Sequence, residues 1–130
     1  MTCSIPGKIK SFTDLHVWQK GHALVLKIYK LTQTFPKEEI FGLTNQIRRA
    51  SVSITSNIAE GFSRISYKEK TQFYYTALGS LTEIQSQLLI SRDLTYINNK
   101  DFNQLAEMTI ELSKMLNGLI KKSKTLILNS

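Results

Sequence analysis

Apolar side chains recur every three or four residues through most of the chain, the spacing of one helix face, and nowhere alternate with period two as a half-buried strand would. Leu15, Trp18, Val25 and Tyr29 fall on one side of a helical wheel and Val17, Leu24, Ile28 and Leu31 on the next. This predicts a first helix from Asp14 to Thr32, with Thr13 and Asp14 as candidate N-caps. Gly21 sits near its middle, where glycine costs about 1 kcal/mol relative to alanine, and is read either as the close approach of another backbone or as a tolerated defect. Phe35-Pro36 stops the helix, because proline donates no amide hydrogen and pushes the preceding residue out of the helical region. Pro36, Glu38 and Glu39 suit the start of a second helix, broken at Gly42 and continuing to Glu60, with Gly61 as its C-terminal cap.

This second helix has three occupied sides. Leu43, Ile47, Ala50, Ile54 and Ile58 make its core stripe; Gln46, Arg49, Ser53, Asn57 and Glu60 run beside it; Val52, Ala59 and Phe62 lie on a third strip. A charge taken out of water without a partner is costly. The polar stripe therefore predicts a network joining Gln46, Arg49, Asn57 and Glu60 to Glu83 on the third helix.

Ser66-Tyr67-Lys68-Glu69 has the form of a capping box and opens that third helix. Phe73, Tyr74, Ala77, Leu81, Ile84 and Leu88 carry its period, Leu78, Leu89 and Ile90 widen the face as far as Arg92, and Gly79-Ser80 leave room for a neighbour. Tyr96 to Asn99 is turn chemistry, after which Phe102, Leu105, Met108, Leu112, Met115 and Leu119 predict a fourth helix to Lys122 or beyond. Helices of about 20 residues span roughly 30 Å, and short connections favour antiparallel neighbours. The expected fold is all-α, an antiparallel up-down-up-down four-helix bundle over 13–125, with a flexible N-terminal segment 1–12 and a tail 126–130.

Charge adds a partner class. Seventeen Lys and Arg against ten Asp and Glu give a net charge of +7, a field that attracts polyanions such as RNA or DNA. Lys20, Lys27, Lys30, Arg48, Lys121, Lys122 and Lys124 are the candidate nucleic-acid contacts, with Lys8, Lys10 and Lys114 nearby in sequence. Few aromatics interleave with them, so contact through phosphates rather than stacked bases is expected. The last lysine group has a competing explanation, because cations near a helix C-terminus are favoured by the helix dipole.

Catalytic patterns are missing. His16 and His22 are six residues apart and do not share a helical face, no Glu-x-x-His pair occurs, and Glu107 and Glu111 read as a solvated face. Both histidines precede Arg48, the reverse of the arginine-then-histidine order of many helical ribonucleases. Ser51, Ser53 and Ser56 read as small packing residues, and neither a phosphate-binding glycine loop nor a nucleophile elbow is found. A non-enzymatic protein without metal or cofactor is expected. The lone Cys3 cannot form an internal disulfide, and no signal peptide or membrane-length apolar run occurs, so a cytoplasmic location is expected.

Several of these stretches together resemble a known family. They are Phe12-Thr13-Asp14-Leu15 with Val17-Trp18-Gln19-Lys20, Phe35-Pro36 with Glu39 and Phe41-Gly42-Leu43, Gln46 to Ala50 with Ser53-Ile54 and Asn57 to Gly61, and Phe73 with Ala77 to Leu81 and Glu83. The chain so resembles the small four-helix-bundle proteins encoded in intervening sequences of bacterial 23S ribosomal RNA genes, relatives of the accessory variability proteins of diversity-generating retroelements. The resemblance implies a ring-like homopentamer with no established catalytic activity. In the accessory relatives it also implies binding to a reverse transcriptase and to nucleic acid. A pentamer would use the surplus strip Val52, Ala59 and Phe62 as a candidate subunit interface, and five copies would carry a charge of about +35, since the fields of neighbouring subunits add.

Overall fold

The computed structural model describes residues 9–128; Cys3, Lys8 and the rest of 1–8 lie outside the described residues. Four helices carry the chain: α1 (His16–Thr32), α2 (Leu43–Ser63), α3 (Tyr67–Asp93) and α4 (Asn99–Leu128). Single 3₁₀ turns at Phe12–Asp14 and Lys37–Glu39 precede α1 and α2, and no strand occurs among the described residues. α2 packs between α1 and α3, α4 closes against α3 and α1, and the backbones of the diagonal pairs stay apart. With connections this short, that adjacency is an up-down-up-down four-helix bundle.

The core is made by the stripes that periodicity marks. Leu24, Ile28, Ile47, Ile54, Ile58, Leu81, Ile84, Leu105, Leu112 and Leu116 are all but fully buried. Each such side chain contributes about 1.5–3 kcal/mol relative to leaving it in water. Polar residues in the core satisfy themselves locally: buried Thr32 and Ser91 return their hydroxyls to the carbonyls of Ile28 and Gln87, one turn back.

Helix ends differ from expectation in instructive ways. Ser11, not Thr13 or Asp14, caps the first turn, and the buried Asp14 carboxylate accepts the amides of Lys10 and Ser11 at 2.9 and 3.1 Å. α2 begins at Leu43, because Glu39 folds back from the preceding turn and accepts the Leu43 amide at 3.1 Å. The same carboxylate accepts the Tyr96 hydroxyl at 2.8 Å, which ties the α1–α2 connection to the α3–α4 connection. Ser66 caps α3 as predicted, accepting the Glu69 amide at 3.2 Å, but Glu69 returns to the Ser66 hydroxyl rather than its amide. α3 ends in a Schellman turn in which the amides of Thr95 and Tyr96 reach the carbonyls of Arg92 and Ser91. Thr95 takes the left-handed position there, at φ 61°, which a β-branched residue strongly disfavours. α4 runs to Leu128, well into the expected tail.

Gly61 is not a cap. It lies inside α2, buried, where an added Cβ would stand 2.6 Å from Cε1 of Tyr74 and 3.1 Å from Cβ of Phe73. Gly21 has a milder version of this contact, with a Cβ meeting Thr55 Cγ2 at 3.1 Å. Gly79 is different: although a neighbour is expected there from the sequence, a Cβ would meet nothing within 4 Å.

Three stability outcomes follow, each measurable by denaturant or thermal unfolding. Gly61→Ala forces the enclosed Tyr74 ring to move and should cost about 1–3 kcal/mol, the usual penalty for overpacking, whereas Gly79→Ala should stabilise by up to about 1 kcal/mol through helix propensity. Equal effects at the two sites would refute the tight α2–α3 crossing. Thr95→Gly relieves the left-handed strain and should stabilise by about 1 kcal/mol; a drop in stability would show that the strain is absent. Glu39 is held below its ordinary value of 4.5 by the Leu43 amide and then by the Tyr96 hydroxyl. A carboxyl depressed in the folded state stabilises the fold above its unfolded pKa, and that contribution is lost as pH falls through the folded value. The gap in melting temperature between the wild type and Glu39→Gln should therefore close as solutions are taken below pH 4.5; a gap that stays constant into strong acid would argue against the ionised latch.

Candidate nucleic-acid interface

A cation already held by groups of the protein has less to offer a phosphate than a free one, so the basic side chains are separated here by what they already touch. Lys20 pairs with Glu111 at 3.1 Å in the groove between α1 and α4. Arg48 donates through Nε to the Thr32 hydroxyl at 2.8 Å and lies 4.8 Å from the centroid of the Tyr29 ring, fastening α2 to the end of α1. Arg64 joins Glu60 at 3.2 Å and covers the Phe73 ring, and Arg92 joins Asp93 and covers Phe102. Lys70 donates to the carbonyl oxygens of Phe62 and Gly61, at 2.7 and 3.4 Å, and so caps the end of α2. Partial burial holds its ammonium below the ordinary lysine value of 10.5. These five cations are engaged by groups of the protein itself.

The lysines near the end of α4 are placed otherwise. Lys121, Lys122 and Lys124 are exposed, and their ammonium groups make no hydrogen bond or ion pair; Lys124 lies over the Tyr75 ring, with Nζ 5.1 Å from its centroid. Because α4 continues to Leu128, its last turn contains no basic residue. The helix dipole acts on charges within about one turn of the end, so capping does not account for these lysines. No acid follows Glu111 in the chain. Lys68, exposed at the start of α3, belongs to the same end, because antiparallel packing sets Tyr67, Lys70 and Tyr74 beside Leu119, Lys122 and Leu126 around a cavity of about 300 Å³.

Of the seven expected contacts, then, Lys121, Lys122 and Lys124 stand exposed near one end of α4, Lys20 and Arg48 are engaged within the fold, and Lys27 and Lys30 lie apart on α1. Sequence reasoning overlooks Lys68, Tyr67 and Tyr75, since their nearness to the end of α4 depends on the register of two helices. The two rings are 40% and 44% exposed. Aromatic side chains do stand among the lysines, contrary to expectation.

The expected polar network takes a different form. Arg49, Glu60 and Glu83 are exposed, so no desolvation cost forces them to pair. Glu60 turns to Arg64, and Glu83 accepts from Gln87 of its own helix at 3.0 Å. Gln46 and Arg49 make no side-chain hydrogen bond or ion pair. The bond that crosses from α2 to α3 joins the hydroxyls of Ser53 and Ser80 at 2.9 Å, with Asn57 donating to Ser53 Oγ at 3.1 Å. Small hydroxyls fit a crossing too close for an arginine–glutamate pair. Gln87 Oε1, buried beside this seam, has no partner.

The surplus apolar strip is also divided. Val52 is 39% exposed, but Ala59 packs on the core and Phe62 lines the cavity beneath Lys70. Larger apolar exposure lies between α3 and α4, where Leu88, Leu89, Phe102, Ala106 and Ile110 line a groove of about 190 Å³. Among the described residues no group of three His, Cys, Asp or Glu is placed to hold a metal, and His22 stacks on Trp18 at 4.8 Å as a packing residue. No described helix is long and apolar enough to cross a membrane.

Comparison with known proteins agrees with this architecture. A solved protein of unknown function from the S23 ribosomal protein family of Bacteroides thetaiotaomicron VPI-5482 is 24% identical, with a TM-score of 0.73 over 81% of this chain and 98% of that one. At that identity the likeness shows the fold alone. No curated protein matches the chain. Residues 13–118 match the family described as 23S rRNA-intervening sequence protein, a span that takes in all of α1, α2 and α3 and most of α4. The chain therefore belongs to the family of 23S rRNA-intervening sequence proteins.

Proposed function

We propose that the protein is a non-enzymatic, homo-oligomeric four-helix bundle that binds RNA or DNA through the lysine-rich end built by α4 and the start of α3. One observation carries this reading: Lys121, Lys122 and Lys124 are exposed, unpaired and too far from the end of α4 to serve as caps. Like charges on one helix repel, and an uncompensated cluster of this kind matches a polyanionic partner better than it serves stability. The resemblance to accessory variability proteins supports a homopentamer and a protein partner such as a reverse transcriptase. Exposed Leu89, Ile110 and Val52 supply apolar surface for such contacts. That same surface favours a second reading, a protein-interaction scaffold with no nucleic-acid role, in which the charge serves only solubility.

A binding titration against salt separates the two. Log affinity for duplex DNA should fall against log salt with a slope of about −0.9 per phosphate neutralised. Replacing Lys121, Lys122 and Lys124 together by Gln should flatten it by as much as about 2.7, at about 0.9 for each phosphate no longer neutralised. Arg48→Gln should leave the slope alone and lower the melting temperature instead. Absence of salt-dependent binding would leave the scaffold reading. Light scattering tests the assembly: a mass near five times 14.8 kDa is expected, and a monomer would remove the oligomer from the proposal.

A further inference from the structure

α3 turns Tyr74 into the bundle, 3% exposed, but leaves Tyr67 and Tyr75 on its outer side at 40% and 44%. Neither outer hydroxyl makes a hydrogen bond, so neither ring is anchored by its polar end. Both stand beside cations, Tyr75 under Lys124 at 5.1 Å and Tyr67 at 6.0 Å from Lys70. Eight residues of helix separate them by about 12 Å along the axis, which is more than one nucleotide step, so bases that are not adjacent in an extended strand would meet the two rings. Lys68, one turn before Gln72 and seven residues before Tyr75, lies along the same outer line, and Lys121 lies one turn before Lys124 on α4.

Resting on the nucleic-acid reading above, we infer that this end takes a single strand rather than a duplex, with Tyr75 and Tyr67 stacking on unpaired bases and Lys68, Lys121 and Lys124 meeting the phosphates. A duplex offers its phosphates and base edges but keeps its base faces stacked inside, out of reach of a tyrosine ring on a convex helix surface. A single strand can turn its bases outward, and every base has a face to stack. Lys124 now covers one face of Tyr75. An exposed cation–π contact is the weaker of the two interactions, so an incoming base displaces the ammonium, which is then free to turn to the adjacent phosphate. Lys70, committed to the end of α2, stays in place and holds the Tyr67 side of the platform.

The test is fluorescence anisotropy at one salt concentration with four labelled probes of equal length: a homopyrimidine strand as DNA and as RNA, an abasic phosphodiester strand, and a duplex. The pyrimidine strand should bind about a hundredfold more tightly than the abasic strand, about tenfold for each stacking ring, and Tyr75→Leu should remove about one such factor of ten without changing abasic binding. Tyr75→Phe, which keeps the ring, should bind like the wild type, and circular dichroism confirms that each variant folds. Duplex or abasic strand bound as tightly as the pyrimidine strand would overturn the single-strand inference and leave the phosphate-binding reading standing. No binding to any of the four would overturn both.

Discussion

The closeness of α2 to its two neighbours is the constraint on which the bundle depends. The backbones of α1 and α3 do not come close to each other, and α2 lies against both. Ile47, Ile54 and Ile58 are essentially inaccessible between them, and glycines stand where side chains would hold the helices apart: Gly21 toward Thr55, and Gly61 with the Tyr74 ring against it. Interiors pack at crystal-like density, so a gap opened at either contact would be felt along the whole isoleucine column. The hydroxyl pair Ser53–Ser80 is a consequence of the same closeness. A longer polar pair could not be satisfied at that separation without prising the helices apart.

Periodicity makes the four helices and the core stripe legible, because a core position is decided by a residue's own spacing. Caps formed within a few residues are legible in the same way, as Ser66 shows. Glu39 is not, because it reaches the Leu43 amide across a turn and shares its carboxylate with Tyr96, 57 residues away. The polar stripe of α2 does lie beside α3, as the sequence suggests, but with a different partner. A helical wheel shows which side a residue occupies, not how near the facing helix comes, and that distance selects serine over glutamate. Gly61 is ambiguous for a related reason: close approach and chain termination both call for glycine, and only the ring of Tyr74 distinguishes them.

The basic residues show the same limit on a larger scale. A count of basic residues treats all seventeen cations as equivalent, yet the fold uses some as fasteners. Arg48 and Lys70 satisfy oxygens at helix ends and lie on aromatic rings, work a sequence cannot reveal because the oxygens belong to other elements. Conversely, Tyr75 and Lys124 come together only through the antiparallel register of α3 and α4.

What remains after the fasteners are removed is the part of the charge on which the proposed function rests. Only three ion pairs occur among the described residues, all between exposed groups, and such pairs contribute little to stability. Packing holds the bundle, and the charges are not needed to do so. A helix selected for stability alone would distribute acids among the lysines of its final turns, since opposite charges three or four residues apart stabilise and like charges destabilise. α4 has no acid after Glu111, and its final turn, the one place where the dipole would favour cations, has none. Lysines are thus absent where they would stabilise the helix and concentrated where they repel one another. That distribution has a physical rationale if the compensating negative charge comes from another molecule.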